Sequence, residues 1–137
     1  MAITGEVVLE TVTSAFNAQD LSELWGLLAD DVVFRAPGGI EGVGRTACIE
    51  FYRRWLEDFP DAHLDVDTTH IVDDVAVEHG TFTGTHNGVG RTGRTVAVDF
   101  VQLFRFRDGK FASVKLFFDR LLMLEQLGLV GDVGCAA

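Results

Sequence analysis

At 137 residues the chain fits one domain, and with 47% hydrophobic and 23% charged residues it is neither disordered nor fibrous. Its net charge of −10 argues against nucleic acid or an anionic lipid surface as a partner, since both need a basic face. Two cysteines, Cys48 and Cys135, are too few for a disulfide scaffold, and Met1–Glu6 carries neither a basic leader nor an apolar run, so a cytoplasmic protein without a membrane segment is expected.

Val8, Val12, Ala15 and Phe16 recur at helical spacing and predict a helix over about 6–18. Asp20 and Glu23 form a D-x-x-E capping pattern for a second helix, with Leu21, Leu24, Trp25 and Leu28 as its apolar face. After Asp30-Asp31, residues 32–36 read as a short strand stopped by Pro37-Gly38-Gly39. A third helix is expected over about 46–58, lined on one side by Cys48, Phe51, Tyr52, Trp55, Leu56 and Phe59, with Pro60 ending it. Residues 64–72 alternate as a strand, Asp73-Asp74 turn the chain, and 75–85 alternate again with many β-branched side chains. The Gly-rich stretch 86–93 reads as a mobile lip. A long strand over 95–107, the Asp108-Gly109 hairpin signal and a returning strand over 111–118 follow. Asp119 is placed to cap a short final helix that runs to Leu127 and stops at Gly128. The expected class is α+β: a cone-shaped, curved antiparallel or mixed sheet, three helices from the first half enclosing an apolar pocket, and a short C-terminal helix. One domain spans 1–137, with 130–137 as a flexible tail.

Several stretches carry a resemblance. They are Ser14-Ala15-Phe16-Asn17-Ala18-Gln19-Asp20-Leu21, Leu28-Ala29-Asp30-Asp31-Val32-Val33-Phe34, Gly44-Arg45, Phe59-Pro60-Asp61, Gly84-Thr85-His86-Asn87-Gly88, Phe104-Arg105-Phe106-Arg107-Asp108-Gly109-Lys110 and Leu124-Glu125-Gln126-Leu127-Gly128-Leu129. In this order and spacing the chain resembles the nuclear transport factor 2-like superfamily, in particular its SnoaL-like polyketide cyclase branch, over roughly residues 6–129. The cyclases' acid/base aspartate on the last strand falls on Leu116. A histidine two residues earlier falls on Val114, and one on the preceding strand on Gln102. The ketosteroid isomerases, also similar, place their tyrosine, base and acid on Val12, Ala36 and Gln102. The limonene epoxide hydrolases place an arginine and aspartate pair on His79 and Thr81 and a second aspartate on Leu116. None of the three constellations is complete in this chain.

Carried over through strand alternation, the family's pocket positions are Phe34 and Ala36, then Val77, His79, Thr81 and Thr83, then Val98, Phe100 and Gln102, then Val114, Leu116 and Phe118. Tyr52 and Trp55 cover them from the third helix. Such a lining suits a hydrophobic, aromatic or polycyclic ligand. His79 is the expected base, because an imidazole titrates near neutral pH. Gln102 and Tyr52 are the expected donors to a developing enolate. No cofactor or metal is expected: His63, Asp65 and Asp67 share one strand face but lack a fourth ligand, and Asp119 reads as a helix cap rather than an acid. The other sheet face, with Phe82, Ala97, Val101, Leu103 and Phe117, is apolar enough to predict a symmetric homodimer.

The favoured function is cofactor-free cyclisation or isomerisation of a polyketide-like carbonyl compound. One variant works by proximity alone, with Phe100 and Trp55 shaping the substrate. The alternatives are a non-catalytic hydrophobic-ligand carrier, or a dimerisation module whose cone is closed and holds no cavity of about 300 Å³.

Overall fold

The helical spacing of Val8, Val12 and Phe16 gives α1 (Gly5–Asn17), which lays that face on the sheet. The remaining elements of this computed structural model, which describes residues 5–88 and 91–130, are α2 (Leu24–Leu27), β1 (Leu28–Ala36), β2 (Ile40–Val43), α3 (Arg45–Asp58), β3 (His63–Val72), β4 (Val75–Thr85), β5 (Thr95–Arg107), β6 (Lys110–Phe118) and α4 (Arg120–Gln126). They form one six-stranded mixed sheet in the order β2-β1-β6-β5-β4-β3. β1 runs parallel to β6, and every other pairing is antiparallel. The expected α+β class, with helices packed on the inner face of a curved sheet, is what the chain forms.

Two elements differ from their sequence reading. Asp20 does not cap a helix. Its Oδ1 accepts from the Ser22 amide at 3.1 Å in a local turn, and only one helical turn, α2, follows. Leu28–Asp31 joins β1 instead, because Leu28 pairs with Phe111 and Leu28 and Val32 are both buried in the sheet core. The strand β2 was not anticipated. Gly38 and Gly39 take φ of 92° and 76°, turning the chain back so that Ile40 pairs with Ala36.

The core is built on Leu24, Leu28, Val32, Phe100, Phe104 and Phe111. Polar clamps tie helices to strands at its rim. Asn17 donates to the Leu64 carbonyl at 3.0 Å and accepts from the Leu64 amide at 2.7 Å, fixing α1 on β3. Gln126 makes the same double contact with Ala97, at 2.9 and 3.0 Å, fixing α4 on β5. Gly80 is required where β3 bulges over β4, since a Cβ there would fall 2.2 Å from the Asp65 carbonyl oxygen. Apart from Val130, the expected tail lies outside the described residues, as does Cys135.

Candidate functional site

The two-residue Asp108-Gly109 turn sets the register of β5 on β6, with Arg107 opposite Lys110. Gln102 then lies opposite Leu116, and on its other side opposite Glu78. Residues directly opposite in an antiparallel pair share a sheet face. Gln102, Leu116 and Glu78 therefore all point into the cone, and Glu78 and Gln102 are both buried.

His79 points the other way. It pairs with Val101 on the outer face, and Val77, Thr81 and Thr83 lie there with it. Thr81 is occupied by Asp99, its Oγ1 donating to Oδ1 at 3.5 Å. The expected base and its strand neighbours are thus corrected to the opposite side of the sheet. Phe82, expected outside, is buried inside and packs edge to face on Trp55 at 5.2 Å between ring centroids. The physical reason is curvature. The concave face of β4 has room only for Ala76, Gly80 and Gly84 beside Glu78 and Phe82, so its β-branched residues sit on the convex face.

The other candidate residues fall on the inner side. Tyr52, Trp55, Phe100, Gln102, Leu116 and Phe118 line one apolar cavity, whereas Phe34 and Ala36 line a groove at the cone mouth. Val114 is buried in the core and lines neither. The cavity measures about 40 Å³. That is room for one or two waters, not for a polycyclic molecule. The mouth groove, at about 560 Å³, is the larger space. Phe51, Trp55, Phe118 and Met123 line both and so form the wall between them. Trp55 anchors that wall, stacked on Phe59 at 5.6 Å and edge-on to Phe118 at 5.6 Å.

Electrostatics single out one group that the sequence reading omitted. Burial pushes the Glu78 carboxyl up to about 7, opposed by the Thr13 hydroxyl, which donates to Oε2 at 3.5 Å. Gln102 Nε2 donates to the other oxygen, Oε1, at 3.5 Å. Glu78 itself lines a groove of about 610 Å³ between α1 and β3. Tyr52, pushed well above the ordinary phenol range by burial and by the neighbouring charges of Cys48 and Glu78, stays a neutral hydroxyl. Burial also raises the Cys48 thiol to about 12, so it is not a nucleophile at neutral pH. The β4–β5 register is what finds Glu78: with Gln102 inside, its cross-strand partner is inside too.

The remaining candidates are structural. Asp119 Oδ1 accepts from the Leu122 amide at 2.9 Å and caps α4. His63, Asp65 and Asp67 are exposed, and among the described residues no group of three or more potential ligands could hold a metal ion. The described ends of the Gly-rich stretch are pinned rather than lip-like. His86 is buried with Nδ1 3.1 Å from Thr92 Oγ1, and the Asn87 amide donates to the Asp58 carbonyl at 2.6 Å.

No described helix is long and apolar enough to cross a membrane. Among curated proteins no sequence match is found. Solved structures with the same fold include wild-type IdmH of Streptomyces antibioticus, a candidate polyketide cyclase, at 27% identity and TM-score 0.77 over 90% of this chain and 97% of that one. AclR of Streptomyces galilaeus, a candidate hydroxylase, matches at 26% identity and TM-score 0.79 over 93% and 87%. A protein of ketosteroid isomerase-like fold from Catenulispora acidiphila matches at 19% identity and TM-score 0.81 over 97% and 100%. The family model for the SnoaL-like domain matches residues 8–114. With its cone of sheet and helices and this match over most of its length, the chain belongs to the SnoaL-like domain family.

Proposed function

We propose that the protein binds a hydrophobic, carbonyl-bearing small molecule of polyketide type in the cone and promotes its cyclisation or isomerisation without a cofactor. The buried Glu78–Gln102 pair beside an otherwise largely apolar cavity carries this reading. The Tyr52 hydroxyl polarises the carbonyl, and desolvation strengthens that contact. Glu78 does not line the cavity but lies beside it, hydrogen-bonded to Gln102, and it replaces His79 as the group that takes up and returns a proton near neutral pH once a substrate is seated against Gln102. The likeness to a candidate polyketide cyclase at 27% identity supports the substrate class. Entry of a ligand of that size requires the wall of Trp55 and Phe118 to swing, joining the cavity to the mouth groove.

Soaking the protein with a panel of polycyclic ketones, read by tryptophan fluorescence and product analysis, tests this. Glu78→Gln should abolish turnover while keeping binding, Tyr52→Phe should weaken both, and His79→Ala should leave both unchanged. Turnover that survives Glu78→Gln would remove the proton-transfer role.

A second reading rests on the size of the cavity, about 40 Å³. In it the cone is filled by its own rings and the domain serves as a dimerisation module. Binding of no member of the panel, even after Phe118→Ala enlarges the cavity, would favour it. In either reading we propose that the outer face of Val77, Val101, Leu103 and the exposed Phe117 packs against a second copy of the chain.

A further inference from the structure

A glutamine side chain ends in a donor and an acceptor set side by side, and it can present only one of them to a given neighbour at a time. Gln102 has two neighbours. On one side is Glu78, whose Oε1 lies 3.5 Å from Nε2. On the other is the apolar cavity, which Gln102 lines and Glu78 does not. The end of the amide that Glu78 does not engage is the end a ligand meets.

We propose that the protonation state of Glu78 selects which end of the Gln102 amide faces the ligand, making Glu78 a specificity-determining residue. With Glu78 ionised, the carboxylate takes the amide N–H, and the Gln102 carbonyl is left for a ligand donor. With Glu78 protonated, its O–H donates to the Gln102 carbonyl, and the amide N–H turns to a ligand acceptor such as a ketone. This rests on the cavity being the ligand site proposed above.

The groups facing Glu78 are few. Gln102 approaches from β5, Thr13 from α1, and Thr69 is its partner on β3. Tyr52 from α3 lies within electrostatic reach. Glu6 and Glu10 of α1 line the groove behind and are exposed to solvent. No cation faces the carboxyl among the described residues, so nothing locks it in the charged form. Burial raises the carboxyl to about 7, which places both forms within the physiological range.

The test begins on the ligand-free protein. The side-chain amide protons of Gln102, assigned with Gln102→Leu, are followed by NMR from pH 5 to 9. Their resonances should titrate with a midpoint near that of Glu78, and their nuclear Overhauser contacts should move toward Tyr52 as the pH falls. Glu78→Gln should abolish the titration, and Thr13→Val, which removes a donor to the carboxylate, should move the midpoint up. Amide signals that ignore pH in the wild type, or that titrate equally in Glu78→Gln, would overturn the inference. A paired binding measurement follows with acetophenone, which only accepts, and indole, which only donates. The ratio of their affinities should change about three- to tenfold in favour of the ketone between pH 8.5 and 5.5. A ratio that stays constant with both probes bound overturns the switch alone. Failure of both to bind overturns the ligand-site reading, while the NMR titration still decides the amide's behaviour.

Discussion

Replacing Glu78 by glutamine should make the protein more stable above neutral pH. The carboxyl's midpoint rises from 4.5 in the unfolded chain to about 7 in the folded one, because burial disfavours its charge. The folded state therefore holds this proton more tightly than the unfolded state. The carboxyl's contribution to stability is fully present below about pH 4.5, is lost as the pH rises toward 7, and changes no further above that. A gap of this width corresponds to a loss on the order of 3 kcal/mol. Glutamine keeps the shape and cannot ionise, so it escapes the loss. The assay is urea unfolding of both proteins at half-unit steps from pH 4 to 8.5, reading the difference between them so that the other carboxylates cancel. The difference should be near zero at pH 4 and grow to about 3 kcal/mol in favour of Glu78→Gln by pH 8. For a chain of this length that is roughly 10 °C in Tm. A flat difference would show that the carboxyl is solvated in the folded protein. A difference of opposite sign would show that it is held ionised by a cation, and the reasoning about its burial would fail either way.

Three other outcomes follow from the packing. Gly80→Ala places a methyl 2.2 Å from the Asp65 carbonyl and should cost about 2 kcal/mol or more in urea unfolding; a neutral result would mean that the β3 bulge relaxes freely. Asp119→Ala should lose about 1 kcal/mol by removing the cap of α4, and Asp119→Asn should recover most of it, whereas an acid/base role would show both variants equally inactive. Phe117→Asp, on a side chain 53% exposed on the outer sheet face, should convert a dimer to a monomer in light scattering, and a wild type already monomeric would remove the proposed interface.

The long strands and the main helices could be read from the chain because their signals are local. Phe51, Tyr52 and Trp55 lie on one side of α3 as their spacing requires, and Asp108-Gly109 makes the hairpin that its residues favour. Asp119 caps the helix that it precedes. What could not be read locally depended on the sheet as a whole. β2 exists because β1 needs a partner on its outer edge, and its residues Ile40 to Val43 carry no strong alternation. The face of β4 was misassigned for a related reason. Val77, His79, Thr81 and Thr83 look like the richer side by composition, yet concave curvature reserves the inside for Ala76, Gly80 and Gly84. That one-residue inversion exchanged His79 for Glu78 and moved the expected base out of the cone. Gln102 and Tyr52 kept their places, since β5 is fixed by its regular alternation and α3 by its apolar face.

The parallel contact between β1 and β6 joins residues 33–35 to residues 113–115, 80 positions further along the chain. A nascent chain that has not yet reached Lys110 has only the short β2 to flank β1, and β5 lacks the neighbour that β6 supplies. Assembly must wait for the last strand to slot in beside the first strand made, so this domain completes its folding only after its C-terminal quarter has left the ribosome, and it does so slowly for its size.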